Sequence, residues 1–359
     1  MSGLSRNIKF VALICGLALV LGLATCSPKG SGGANETVNL QGAGATFPNP
    51  LYQKWVSEYT KLHPNILIDY QSIGSGGGIK QIKEQTVGFG ASDSPMKDDD
   101  LKSAPGEILH IPTVLGAVVI TYNLASVSQS LKFSSSVIAE IFLGKIKKWN
   151  DAKISADNPG VTLPATDITV VHRSDGSGTS AVFTDYLSKI SPEWKEKVGS
   201  GVSLSWPVGI GGKGNEGVAG QVKNTPNTIG YVELAYAAEN KLPTAQIKNA
   251  SGVFIQPSID AVTAAAAGAV ANTPDDLRVS ITNAPGADAY PISSYTYLLI
   301  YKNQKDPVKG KALVDFVWWG VHDGERYAKD LQYAPLPTEI VKRAEAKINS
   351  ITAAGVPLR

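Results

Sequence analysis

Ile168-Thr169-Val170-Val171-His172-Arg173-Ser174-Asp175-Gly176-Ser177-Gly178-Thr179-Ser180 is the stretch that decides the fold. Ile168 to Val171 is β-branched and apolar and reads as a strand. A loop of small polar residues follows, and a helix runs from about Ser180 to Ile190. A strand that enters a helix through a short glycine-rich loop is the repeating unit of α/β proteins, whose ligands collect at the C-terminal ends of the strands. The same unit recurs upstream. Thr37 to Leu40 alternates like a first strand, and Gly42-Ala43-Gly44-Ala45-Thr46-Phe47 makes a turn. Pro48 and Pro50 open a helix in which Leu51, Trp55, Tyr59 and Leu62 share a face, and Pro64 stops it. Ile66 to Tyr70 is the next strand, Gly74-Ser75-Gly76-Gly77-Gly78 its loop, and Ile79 to Thr86 its helix. Phe89 to Asp93 is a short strand ending in a polar turn. Val114 to Tyr122, Gly230 to Glu233 and Tyr297 to Tyr301 read as further strands, and helices at about Gly310–Trp319 and Thr338–Ser350 close the chain. No short-period repeat is visible.

Composition sets the frame. The 359 residues suggest two domains or one large one, and 43% hydrophobic with 18% charged residues suits a globular core. Arg6 and Lys9 precede an apolar run from Phe10 to Ala24, so residues 1–25 read as a signal peptide. The run ends at Leu23-Ala24-Thr25-Cys26, which resembles a lipoprotein box with Cys26 as the lipidated residue. Thr25 departs from the small residue usual there, and cleavage as an ordinary signal peptide is the competing reading. Residues 26–36, rich in Gly and Ser, form a tether of roughly 16–19 Å root-mean-square span. No cysteine follows Cys26, which excludes a disulfide, a thiolate metal site and a cysteine nucleophile in the exported chain. Without residues 1–25 the 33 basic residues become 31, against 31 acidic ones. A net charge near zero argues against a nucleic-acid partner and means that any anion is held by local groups.

Three loops can hold one. Each opens a helix, and they carry Thr46, Ser75, and Ser177 with Thr179. A helix start offers unpaired N–H groups and a partial positive charge, glycine admits close approach, and the hydroxyls add donors. Arg173 adds a planar fork suited to a tetrahedral oxyanion, with Asp175 placed to orient it; a surface arginine at a strand end is the plainer reading. Asp93 is a carboxylate where an anion would sit. An ionised carboxylate only accepts hydrogen bonds, so it suits a ligand that carries a hydrogen, such as hydrogen phosphate, and repels sulfate. A turn-capping aspartate is the alternative.

These segments resemble a known family. Gly42-Ala43-Gly44-Ala45-Thr46-Phe47-Pro48, Ile73-Gly74-Ser75-Gly76-Gly77, Phe89-Gly90-Ala91-Ser92-Asp93, Leu143-Gly144-Lys145-Ile146-Lys147-Lys148-Trp149, Arg173 to Ser180 and Gly211-Gly212-Lys213-Gly214-Asn215 occur in order, from about residue 39 onward. They are similar to the phosphate-binding subunit of the phosphate-specific ABC transporter, a periplasmic binding protein. The resemblance implies an α/β fold of two lobes, the type II form, each lobe a mixed sheet flanked by helices. It implies a hinge of two crossings near Thr113–Ile120 and Tyr290–Leu298, with lobe one at 37–115 plus 293–359 and lobe two at 116–292. It further implies phosphate contacts from Thr46, Phe47 through its N–H, Ser75, Asp93, Arg173, Ser177, Gly178 and Thr179, with Asp175 bracing Arg173. Thr46, Ser75 and Asp93 would lie on one lobe and the Arg173 loop on the other. The expected role is extracytoplasmic phosphate capture for the permease and ATPase subunits of an importer, by a monomer that is no enzyme and meets the membrane only through its lipid. Gly76 stands where relatives often have Ser, and His172 where Arg is frequent.

Other signals are weaker. Gly209 to Gly214 fits a GxGxxG pattern, but Pro207 interrupts the segment before it, and an exported protein has no ready dinucleotide. Lys80 lacks the Ser or Thr of a Walker A loop. His63, His110, His172 and His322 have no metal-ligand spacing, and Asp98-Asp99-Asp100 is not a calcium loop, so no cofactor and no metal is expected. Lys145, Lys147 and Lys148 read as a solvated face. Two rival functions remain at this level: a binding protein for another oxyanion such as sulfate or molybdate, and an exported phosphoryl-transfer enzyme.

Overall fold

Ile108–Tyr122 is the longest strand, and all fifteen of its residues are buried in the computed structural model, which describes residues 37–359. The leader, Cys26 and the tether lie outside the described residues. A nearly continuous apolar run of this kind belongs to a strand covered on both faces. It is the fourth of eight strands in one sheet. The others are β1 (Val38–Gly44), β2 (Ile66–Ser72), β3 (Phe89–Ser92), β5 (Thr169–Arg173), β6 (Ile210–Gly212), β7 (Thr228–Glu233) and β8 (Ser293–Tyr301). Their order is β2-β1-β3-β8-β4-β7-β5-β6.

β4 changes partner along its length. Ile108 to Ala117 pair antiparallel with β8, and Val118 to Tyr122 pair antiparallel with β7. The strand thereby carries the chain from one half of the sheet to the other. β1, β2 and β3 are mutually parallel, and β3 is antiparallel to β8, so all three point the same way as β4. β5 and β6 run parallel to β7, and hence against β4. The C-terminal ends of the two parallel sets therefore face each other across the place where β4 switches partners.

The helices follow from the sequence with local adjustments. α1 (Asn49–Leu62) buries Leu51, Tyr52, Trp55 and Tyr59 on one face, each contributing roughly 1.5–3 kcal/mol of hydrophobic stabilisation. It ends at His63, held out of the helical region before Pro64. α2 spans Ser75–Lys83, so the glycines read as a loop form its first turn. α3 (Gly178–Ile190) begins two residues before its expected start. α4 (Gly214–Asn224) and α5 (Leu234–Glu239) were not legible as helices. α6 (Pro307–Val321) and α7 (Thr338–Asn349) close the chain. β4 starts six residues earlier than its apolar run suggests, with Pro112 accommodated at a register shift opposite Thr296 and Tyr297. The shift leaves Thr113 to donate to the Thr296 carbonyl (3.3 Å) and to meet the Tyr52 hydroxyl (2.8 Å).

Candidate anion-binding cleft

Every strand of the two parallel sets ends in a buried polar residue. β1 leads to Thr46 and Phe47, β2 to Ser75, and β3 to Asp93. β5 ends at Arg173, β6 leads to Asn215, and β7 ends at Glu233. All seven are buried, as are Ser177, Gly178 and Thr179. Helices α1 to α5 start where these strands end, so several helix N-termini converge on one spot. There the first-turn N–H groups have no intrahelical acceptor.

The two halves touch directly. Asn215 Nδ2 donates to Thr46 Oγ1 (2.7 Å) and to Thr179 Oγ1 (3.0 Å). The Gly76 N–H donates to the Gly176 carbonyl (2.9 Å), and a Cβ on Gly76 would lie 3.0 Å from Gly176 Cα, so the bare glycine suits this approach. The Tyr236 hydroxyl donates to the Thr46 carbonyl and the Tyr333 hydroxyl to the Phe47 carbonyl, both at 2.6 Å, which turns both carbonyls toward protein donors. A Cβ built on Gly178 would run into Ser75 Oγ and stand 2.5 Å from Asp93 Oδ2. Only glycine lets the start of α3 meet both.

Arg173 is held by Asp175, with Nε at 2.8 Å from Oδ1 and Nη2 at 2.5 Å from Oδ2. Nη1 reaches Thr179 Oγ1 at 3.4 Å. Burial works against the guanidinium charge, but the hydrogen bonds and charge of Asp175 outweigh it and Arg173 titrates above its ordinary value. Asp175 is affected conversely. Burial raises it, and Arg173 and the Gly214 N–H together hold it below the usual carboxylate range. The pair is thus charged but close to neutral overall. Ser75 Oγ accepts from the Asp93 N–H (3.2 Å), and Ser177 Oγ caps α3 by accepting from the Ser180 N–H (3.0 Å). Each keeps its own hydroxyl hydrogen to donate.

Asp93 is the exception among these donors. Its Oδ1 accepts from Thr296 Oγ1 at 2.9 Å. Its Oδ2, fully buried, has no hydrogen-bond partner among the described residues. Burial pushes the carboxyl up to about 7, although Thr296, Arg173, Ser75 and Thr179 favour ionisation. Glu233 is a second buried carboxyl, and the sequence offered no sign of its position. Its Oε2 accepts from the Ala235 N–H (2.7 Å). Tyr333 spends its hydrogen on Phe47, and Glu233 Oε1 has no partner among the described residues. Burial foremost pushes this carboxyl well above the ordinary range.

Two further motifs are placed by the structure. The Gly209–Gly214 segment does form a strand, loop and helix, but it serves to bring Asn215 into the cleft. Asn215 was read only as part of a motif, because its partners lie 36 and 169 residues away. His172 stacks on Trp206 with ring centroids 4.9 Å apart and faces the Arg173 carbonyl, outside the polar cluster. Lys145, Lys147 and Lys148 are not part of the cleft: Lys145 pairs with Glu193, and Lys148 with Asp167.

Known proteins share this sequence and this fold. A family model described as a PBP superfamily domain matches residues 29–321. The phosphate-binding protein PstS of Xylella fastidiosa (strain 9a5c) is 47% identical over 87% of this chain and 85% of its own. That of Pasteurella multocida (strain Pm70) is also 47% identical, over 87% and 90%, and that of Methanocaldococcus jannaschii is 39% identical over 96% of each. Among solved structures, a phosphate-binding protein from Stenotrophomonas maltophilia superposes with a TM-score of 0.67 at 22% identity, over 87% of this chain and 94% of that one. An ABC-type phosphate transport receptor from Vibrio cholerae gives 0.55 at 15%, over 83% and 100%. These two share the fold. With a family model across most of its length and PstS relatives at nearly half identity, the chain belongs to the PBP superfamily and, within it, to the PstS-type phosphate-binding proteins.

Proposed function

We propose that this chain captures inorganic phosphate outside the cytoplasm by closing two lobes around it, and hands it to the permease and ATPase subunits of an ABC importer. The observation that carries the reading is an orphaned acceptor, Asp93 Oδ2, buried beside Ser75 Oγ and the start of α3, where its neighbours are donors. A tetrahedral anion with one hydrogen meets both needs at once. Its unprotonated oxygens take hydrogen bonds from Ser75, Ser177, Thr46, Thr179, the Arg173 fork and the N–H groups of Phe47, Gly178 and Thr179. Its one hydroxyl donates to Asp93. Sulfate, with no hydrogen, would face the carboxylate lone pair to lone pair.

Lobe one comprises 37–115 plus 293–359 and lobe two 116–292, with β4 and the entry to β8 as the crossings. The partner change of β4 at Ala117 and Val118 supports this division. Opening separates Thr46, Ser75 and Asp93 from Arg173, Thr179 and Asn215. Phosphate favours the closed form because it touches both groups together. The protein acts by binding, as a monomer, and performs no turnover. Lipidation of Cys26 would hold it at a membrane surface, and mass spectrometry of the mature N-terminus tests that assignment.

Calorimetry with phosphate, arsenate and sulfate, read together with tryptophan fluorescence, tests the function. Phosphate and arsenate are expected to bind in competition and sulfate not to bind at pH above 7. Tight sulfate binding there would refute the role of Asp93, and absence of phosphate binding would refute the function.

A further inference from the structure

Among the described residues, Asn215 is the one fully buried side chain in the cleft that hydrogen-bonds to both lobes. It sits at the second position of α4 and makes four polar contacts. Nδ2 donates to Thr46 Oγ1 and to Thr179 Oγ1, at 2.7 and 3.0 Å. Its backbone N–H donates to Thr46 Oγ1 at 3.3 Å, and its Oδ1 accepts from the Glu233 N–H at 2.9 Å. A backbone N–H can only donate, so the atom facing Glu233 is the amide oxygen and the amide has one orientation. Both Nδ2 hydrogens are then committed, one to each threonine.

The consequence falls on the threonines. Thr46 Oγ1 accepts from two N–H donors of Asn215, and Thr179 Oγ1 accepts from Asn215 and from Arg173 Nη1. A hydroxyl with both acceptor sites filled has only its hydrogen left to offer. Thr46 and Thr179 are therefore donors toward the cleft and cannot accept from a ligand.

We propose that Asn215 is a positioning residue that fixes the hydrogen-bond polarity of the cleft: by donating to Thr46 and Thr179 together it turns both hydroxyls into obligatory donors toward the anion and leaves Asp93 as the only place for the ligand's hydrogen. The inference rests on the phosphate reading above. It also makes polarity and closure one event, since Thr46 and Asn215 meet only when the lobes do.

The test compares Asn215→Ala and Asn215→Asp with wild type by phosphate calorimetry, alone and with Thr46→Val plus Thr179→Val. The alanine variant frees the hydroxyls to rotate and should bind about tenfold more weakly. The aspartate variant keeps the shape and the Glu233 contact, but draws both hydroxyl hydrogens away from the anion. It should lose about a hundredfold or more, and recover in part as the pH is lowered and the new carboxyl protonates. With both threonines replaced by valine, Asn215→Ala should cost less than about threefold, because the groups through which it acts are gone. Thermal melts show whether each variant is folded, and the aspartate and alanine variants provide independent readings. An aspartate variant that binds like wild type, or an Asn215→Ala loss of equal size with and without the threonines, overturns the role of Asn215 while leaving the phosphate reading intact. A wild type that binds no phosphate overturns both.

Discussion

Replacing Asp93 by Asn alters the chemistry of one group and almost nothing of its shape. Thr296 Oγ1 donates to Asp93 Oδ1 across 2.9 Å, and that hydroxyl keeps the amide oxygen of the variant on its own side. The NH2 group then stands where Oδ2 stood, and the one acceptor of the cleft becomes a donor. Phosphate would still bind, but its hydrogen would meet only donors. One buried polar hydrogen left unpaired costs about 1–3 kcal/mol, or roughly five- to 150-fold in affinity. Sulfate moves the other way. The repulsive carboxylate is replaced by a donor, so its affinity at pH above 7 should rise by about tenfold or more. The pH dependence follows from burial, which raises Asp93 from 3.8 to about 7. At about 1.4 kcal/mol per pH unit, ionising it costs the ligand-free protein on the order of 4 kcal/mol. Because the folded value is the higher one, this stability is fully present below pH 3.8 and is lost as the pH rises through about 7. The same protonation turns Asp93 into a donor below about 7, so wild type should exclude sulfate less strictly there. Calorimetry with phosphate and sulfate on both sides of pH 7, beside melts of the ligand-free protein, measures all three effects. An unchanged ratio of phosphate to sulfate affinity in D93N above pH 7 refutes the assignment of Asp93 as the acceptor of the ligand's hydrogen.

Arg173→Ala removes the only cation of the cluster and leaves Asp175 half-buried beside an anion site, so phosphate affinity should fall about tenfold or more by calorimetry; wild-type affinity would mean that Arg173 does not touch the ion. Glu233→Gln should leave phosphate affinity within a few-fold, because the carboxyl it replaces is one whose charge burial disfavours. Wild type should lose more stability than E233Q as the pH climbs above the ordinary glutamate value of 4.5, since both keep Asp93 and only wild type must also ionise Glu233, so the gap between their melting temperatures widens with pH. A gap that narrows instead would show Glu233 to be ionised in the fold. Trp55→Ala, fully buried against Tyr52 and Gly324, should cost about 3–5 kcal/mol of stability in denaturant unfolding.

The α/β class was legible because the strands around Ile168 and Ile66 and the helix bearing Trp55 carry plain periodic signals. What stayed hidden has a common physical origin. Gly76, Gly77 and Gly78 are poor helix formers, so the first turn of α2 read as a loop. Gly76 and Gly78 are there for the close passes against Gly176 and the β1 backbone, which local propensity does not encode. The glycine-rich start of α4 was opaque for the same reason, and with it Asn215. The apolar run from Val114 showed only part of β4, which runs on through Pro112 because the register shift at Thr296 and Tyr297 absorbs the missing N–H. Glu233 looked like any strand-end residue, since its burial depends on β4 and on Tyr333, a hundred or so residues away in each direction. Arg173, Ser177 and Thr179 were visible because one short loop holds them all.

The charges of the cleft explain why so much of it is built from dipoles. Arg173 and Asp175 nearly cancel, burial works against a charge on Glu233, and ionised Asp93 is repulsive to an anion. An ion with two negative charges therefore enters a site whose formal charges do not sum to a positive value. Its hold must come from oriented N–H and O–H groups, and these act only at contact distance in a dry cavity. That requirement accounts for the topology. Six parallel strands end toward one another, each delivering a polar residue or a helix start, and neither half alone can surround a tetrahedron. Under the proposed closure, a site made this way has little attraction for the ion while open and full strength only when closed, so recognition of the ligand and the change of shape become a single equilibrium.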